Sequence, residues 1–213
     1  MQFYQGENAM IRNIIFDCSE TLLSFHAIDY LASLVGDREK AVQMHYTLFR
    51  SEPWHRYDNG KLPEEELENA LLPLLPEEDR AIGSRYLKEW IDTYGIIEGA
   101  PQLVADVRKA GYRTYLLSDF PPAFRVIWDK FDFLHQMDGR VVSWEVGYSK
   151  KDGKIYDILL EKYGLDPQEC IFIDDVPRNV EIGKEHGIDG IVFTGVENLR
   201  MELQKLGLLP EEK

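Results

Sequence analysis

Apolar runs of strand length alternate with amphipathic stretches of helix length from Gly99-Ala100-Pro101 onward, and this alternation constrains the fold more than any other feature. Pro101 to Ala110 places Leu103, Val104 and Val107 on one helical face and stops at Gly111. Arg113 to Leu117 reads as a strand ending at Ser118-Asp119, and Pro121-Pro122 opens another helix. Arg140 to Ser143 is a short strand, Lys154 to Tyr163 a helix closed by Gly164, and Cys170 to Ile173 a strand ending at Asp174-Asp175. A helix from Asn179 to His186, a strand from Gly190 to Phe193 and a final helix follow. Strands separated by helices of this length predict an α/β fold, a doubly wound parallel sheet of Rossmann-like type with helices on both faces.

Near the N-terminus, Asn13-Ile14-Ile15-Phe16 is a β-favouring run that stops at Asp17, followed by Cys18-Ser19-Glu20-Thr21. A buried parallel strand delivers a reactive side chain to the sheet's carboxyl edge in this way. From Leu22 to about Tyr94 no β pattern is evident. Apolar residues recur there at helical spacing in Ile28, Leu31, Leu34 and Val35, and again in Leu67, Ala70, Leu71 and Leu74. Residues 24–95 are therefore expected to form an inserted α-helical cap, with 11–23 and 96–207 as the α/β core. Residues 1–10 show no period and are expected to be a flexible leader.

The strand ends bring Asp17, Ser118 and Asp174-Asp175 to one crevice, the usual ligand position in a doubly wound sheet. Three carboxylates there repel one another unless one is protonated or a hard cation lies between them. All-oxygen ligands suit Mg²⁺. The chain carries 24 Lys and Arg against 38 Asp and Glu, a net charge of −14, which disfavours nucleic acid and anionic membranes as partners. An anionic substrate needs a local cation against that field, and a metal beside the carboxylates supplies it. Ser118 offers a hydroxyl to phosphate oxygens. Lys150 in Gly147-Tyr148-Ser149-Lys150-Lys151-Asp152-Gly153 offers fixed positive charge, with Lys151 as its competitor. No apolar run nears the roughly 20 residues of a membrane span, and no signal-peptide pattern opens the chain, so a cytoplasmic protein is expected. Cys18 and Cys170, the two cysteines, are expected to be reduced.

Phe16-Asp17-x-x-x-Thr21-Leu22, Leu116-Leu117-Ser118-Asp119, Lys150-x-Asp152 and Phe172-Ile173-Asp174-Asp175-x-x-x-Asn179 together resemble, in order and spacing, the four motifs of the haloacid dehalogenase (HAD) superfamily. The resemblance runs from residue 11 to about 195. A helical insert directly after the first motif looks like the superfamily's type 1 cap, and Tyr57-Asp58-Asn59-Gly60-Lys61-Leu62 is similar to caps of its small sugar-phosphate phosphatases. The resemblance implies phosphoryl transfer from a small phosphorylated metabolite, a sugar phosphate among the candidates, through an aspartyl-phosphate on Asp17. It also implies Mg²⁺ held by Asp17, the Ser19 carbonyl, Asp175 and Asp174. Ser118 and Lys150 would hold the phosphoryl group, Asp119 completes the substrate-binding set, and Asn179 would steady the metal loop. A carboxylate nucleophile divides one hard step into two, and cations neutralise phosphoryl oxygens.

The sequence departs from that family at Ser19, where its phosphatases carry an acid/base Asp, and at Glu20, where a Gly is usual. A positioned acid/base contributes roughly 10² to 10⁴ in rate, about 3 to 5 kcal/mol of barrier. Glu20 is a candidate substitute or a solvent-facing turn residue. Asp119 stands where Asn is common, and a carboxylate beside phosphate has to face away or be paired. His26 reads as structural. Pro53-Trp54-His55-Arg56-Tyr57 fits either a substrate-reading surface or the cap's own core. Besides a Mg²⁺-dependent phosphohydrolase, the sequence admits a member that binds a phosphometabolite or protein partner without turnover, and a dehalogenase, which would not need the metal cluster. A phosphoacceptor receiver domain is excluded, because its acidic pair precedes its nucleophile in the chain.

Overall fold

The computed structural model describes residues 10–211, so nine of the ten residues expected to form a flexible leader lie outside the described residues. Five parallel strands form the central sheet: β1 (Asn13–Phe16), β4 (Arg113–Ser118), β5 (Gly139–Val142), β6 (Cys170–Asp174) and β7 (Asp189–Val192), in the order β5-β4-β1-β6-β7. The doubly wound parallel sheet expected from the sequence is therefore present. Its centre is β1, which pairs β4 on one side and β6 on the other, with Phe16 opposite both Leu116 and Ile173.

Alternate residues of β1 face opposite layers, as strand pleating requires. Ile14 and Phe16 enter one apolar cluster with Leu103, Val104 and Val107 of α6 (Ala100–Lys109), Phe124 and Ile127 of α7 (Phe124–Lys130), and Leu199 and Leu203 of α11 (Val196–Lys205). Ile15 enters the other, with Ile155, Tyr156 and Leu159 of α9 (Lys154–Tyr163) and Ile182 of α10 (Pro177–Glu185). Every residue of β1 and β6 is buried, which explains why both read as continuous rather than alternating apolar runs.

Between β1 and α6 the chain is mainly helical: α1 (Ala27–Val35), α2 (Arg38–Phe49), α3 (Glu52–Asp58), α4 (Glu64–Leu71) and α5 (Arg80–Glu89). Asp37 starts α2 by accepting from the N–H groups of Glu39 and Lys40, and Ser51 starts α3 by accepting from Trp54 N–H. The sequence showed no β pattern here, yet β2 (Leu23–Phe25) and β3 (Tyr94–Ile96) form an antiparallel ribbon at the two ends of the helical run. Three-residue strands are too short to show a period, and this pairing is held by partners some 70 residues apart. Trp54 and Tyr57 are buried, with Trp54 stacked on Phe49 at 3.8 Å, whereas His55 and Arg56 are exposed. The aromatic residues of that ambiguous segment therefore serve the helical region's core. The four-residue helix α8 (Ser143–Val146) after β5 was also unforeseen. Cys18 and Cys170 are buried free thiols, and among the described residues no helix is long and apolar enough to cross a membrane.

Candidate active site

Strand β1 ends one residue before Asp17, whose backbone N–H donates to Ile173 O at 2.8 Å, so the sheet ladder fixes Asp17 beside the end of β6. The chain then folds back sharply: Leu22 N–H and Leu23 N–H both donate to Cys18 O, and Glu20 N–H donates to Leu23 O. Glu20 adopts φ 58°, the left-handed region that costs a non-glycine residue about 1–2 kcal/mol. Its Oε1 accepts Phe25 N–H at 2.6 Å, an interaction that offsets part of that cost and ties the turn to β2.

Lys150 lies at the centre of the site. Its ammonium donates to Asp17 Oδ1 and, at 2.7 Å, to Asp174 Oδ2, and all three side chains are almost wholly buried. The loop that presents it is built by two carboxylates. Asp152 accepts from Ser149 N–H and Oγ–H, closing a capping box, and Asp119 Oδ1 accepts Lys150 N–H at 2.8 Å. Lys151, the competitor in the sequence, is exposed. Asp119 is thus paired with the loop backbone, which answers how a carboxylate is accommodated where Asn is common.

Asp174 is held from several sides besides Lys150. Val176 N–H donates to Oδ1 at 2.8 Å, and Asn179 Nδ2 reaches both of its oxygens at 3.1 Å. Asp175 is half-buried, and ligand oxygens of Asp17, Asp174 and Asp175 lie within 4.8 Å of one another. Burial raises the Asp17 carboxyl to about 7, with Lys150 opposing and Asp174 reinforcing the shift. Burial, then Asp174, also raises Asp175. For Lys150, burial disfavours the charge, but Asp17, Asp174 and Asp119 outweigh it and keep its pKa above that of an ordinary lysine. Three carboxylates against one ammonium leave two charges uncompensated if all are ionised, so this all-oxygen donor set fits a hard divalent cation.

Ser118, the last residue of β4, is fully buried, and its Oγ has no hydrogen-bond partner among the described residues. An unsatisfied buried hydroxyl costs about 1–3 kcal/mol, so it calls for a ligand. Ser19 is not isolated: its Oγ lies 3.1 Å from the hydroxyl of Tyr94, the first residue of β3. Sequence reading missed Tyr94, because its contact depends on the β2–β3 ribbon and spans 75 residues. His26 is exposed at the start of α1 and caps nothing with its side chain.

Residues 11–187 match the family model described as haloacid dehalogenase-like hydrolase, and the chain belongs to that family of hydrolases. Flavin mononucleotide hydrolase 1 of Arabidopsis thaliana chloroplasts is 26% identical over 73% of this chain, an alignment that spans 62% of the relative's own length. D-ribitol-5-phosphate phosphatase of Bacteroides thetaiotaomicron is 25% identical over 91% of this chain and 97% of its own length. Among solved structures, a HAD family enzyme from Bacteroides thetaiotaomicron in complex with magnesium and inorganic phosphate superposes with a TM-score of 0.68 at 18% identity, covering 87% of this chain and 95% of that one.

Proposed function

We propose that this protein is a Mg²⁺-dependent phosphohydrolase that transfers the phosphoryl group of a small phosphorylated metabolite to Asp17 and then to water. The observation that carries this reading is the buried ammonium of Lys150 bonded to both Asp17 and Asp174, with Asp175 completing an oxygen cluster at the end of the sheet. Asp17, Asp174, Asp175 and the Ser19 carbonyl would hold Mg²⁺, which when bound neutralises charge on the phosphoryl oxygens. Asp17 forms the new bond to phosphorus as the bond to the leaving oxygen breaks, and water later displaces Asp17 to give phosphate. Lys150 and the unpartnered Ser118 hydroxyl receive the phosphoryl oxygens. Asn179 and Val176 N–H fix Asp174, while Asp119 and Asp152 fix the Lys150 loop.

Relatives named for flavin mononucleotide and for ribitol 5-phosphate support a small phosphorylated metabolite as substrate. Ser19 stands where an acid/base carboxyl is usual, so turnover is expected to be attenuated. A second reading, binding without turnover, is favoured by the engagement of the Ser19 hydroxyl with Tyr94 at 3.1 Å. Phosphate release from sugar, polyol and nucleoside monophosphates, with Mg²⁺ and with EDTA, separates the two. Release that needs Mg²⁺, disappears in Asp17→Asn and rises in Ser19→Asp is the expected result. Release from none of them by the native chain, with turnover appearing only in Ser19→Asp, would favour the binding protein.

A further inference from the structure

Moving a phosphoryl group from an alkyl ester to Asp17 expels an alkoxide unless a proton reaches the leaving oxygen. Few groups in the crevice can deliver one. Lys150 is held as a cation by two carboxylates, and Asp174 already accepts from Lys150, Val176 and Asn179. Ser19 and Tyr94 face each other as hydroxyls, and burial pushes the Tyr94 phenol up, making it a poorer donor.

Asp58, at the C-terminus of α3, is placed differently. Its backbone carbonyl accepts from Ser143 Oγ at 2.7 Å, and the same hydroxyl lies 2.9 Å from Phe120 N–H, two residues beyond Ser118. The next turn is pinned as well. Gly60 has φ +63°, and a Cβ there would stand 2.5 Å from the Trp144 carbonyl oxygen, so only glycine lets the helical region approach this closely. These contacts fasten Asp58 above the carboxyl ends of β4 and β5. Burial, then the nearby Asp119, pushes its carboxyl well above the ordinary range, with a bond from Trp54 opposing, a direction that favours the protonated form a general acid needs. The Tyr94 phenol, 3.1 Å from Ser19 Oγ, is near enough to both Asp17 and Asp58 to feel their charges. Asn59 Oδ1 and Trp144 Nε1, on the two sides of the same junction, are buried without partners, as expected where a polar ligand is to sit.

We propose that Asp58, carried over the crevice by α3, protonates the leaving oxygen and then takes a proton from the attacking water, the part Ser19 cannot play. This rests on the phosphatase reading above. In the first step the Asp17–phosphorus bond forms, the bond from phosphorus to the leaving oxygen breaks, and the Asp58 proton goes to that oxygen, which departs as an alcohol. In the second, water attacks phosphorus, its proton passes to the Asp58 carboxylate, and the bond to Asp17 breaks, restoring both groups and releasing phosphate.

The test compares an alkyl phosphate, ribitol 5-phosphate, with p-nitrophenyl phosphate, whose leaving group is already stable as an anion. kcat/KM reports the steps through departure of the leaving group. Asp58→Asn is expected to lower kcat/KM on the alkyl ester about 10²-fold or more, and to lower it at least tenfold less on the aryl ester. Asp58→Glu is expected to recover part of the alkyl rate. Damage to folding moves both esters together, so an equal fall in Asp58→Asn, or no fall, overturns the proposal while the phosphatase reading stands. Absence of any Asp17-dependent phosphate release by the native chain from both esters would overturn that reading and this one with it.

Discussion

The nucleophile end of the α/β core and the aromatic interior of the helical region treat buried titratable groups by opposite means. In the core the buried groups are charged and mutually compensating: Lys150 between Asp17 and Asp174, none of them more than a few per cent exposed. In the helical region the buried imidazole of His45 has its Nδ1 2.6 Å from the Tyr86 hydroxyl, and its ring stacks on Phe49 at 4.4 Å. Burial, then Arg50, lowers His45 to about 4, so it is neutral at physiological pH. The core keeps charge that the proposed phosphoryl transfer would use. The aromatic interior around His45 has no counter-ion to offer, whereas Asp79, also buried in the helical region, is paired with the half-exposed Lys40 at 2.5 Å, and burial pushes the Asp58 carboxyl up.

The largest effect should come from breaking the compensation in the core. Lys150→Met strands two buried carboxylates, and unfolding in urea is expected to show a loss of about 3–5 kcal/mol, with phosphate release abolished. Adding Asp17→Asn to Lys150→Met should recover part of that stability but none of the activity. A Lys150→Met chain as stable as the native one would show that the ammonium is not compensating buried charge.

The contrast is sharpened by pH. His45 has a folded pKa of about 4 against an ordinary 6.5, so the unfolded chain binds more protons between those values. Its contribution is complete above about pH 6.5 and is lost as pH falls toward 4, amounting to about 3 kcal/mol. In His45→Gln, which cannot titrate, that part of the acid sensitivity should vanish from urea midpoints followed over this window. Parallel pH profiles for the two chains would contradict the neutral, buried ring.

The smallest expected effect tests the junction between the regions. Gly60→Ala forces a side chain into the left-handed region at φ +63° and against the Trp144 carbonyl. The backbone conformation alone should cost about 1–2 kcal/mol in urea unfolding. Unchanged stability would mean that α3 does not depend on its close approach to α8.

The core was legible in the sequence because its signals are local. Ile14 and Ile15 before Asp17, Leu116 and Leu117 before Ser118, and Ile171 to Ile173 before Asp174 each announce a buried strand that stops at a polar residue, and the parallel sheet collects those stops on one edge. The loop's composition alone did not separate Lys150 from Lys151, and only the family resemblance favoured Lys150, since its placement depends on a capping box and on Asp119, 31 residues away, gripping the loop backbone. The β2–β3 ribbon, and with it the Ser19–Tyr94 contact, left no period to read. Trp54 and Tyr57 could be placed on the surface or in the interior equally well, because aromatic residues at helical spacing suit both. What the core's motifs do not encode is how the helical region meets them, where the Asp58 carbonyl accepts from Ser143 Oγ at 2.7 Å and Gly60 approaches the Trp144 carbonyl.

The most direct test of the central claim is to quench the native chain with acid during turnover of p-nitrophenyl phosphate in the presence of Mg²⁺ and to map the phosphorylated peptide by mass spectrometry. The expected result is phosphate on the peptide containing Asp17, absent with EDTA and absent in Asp17→Asn. Mg²⁺-dependent phosphate release with no phosphopeptide, or with the phosphate on another residue and unaffected by Asp17→Asn, would contradict the assignment of Asp17 as the nucleophile.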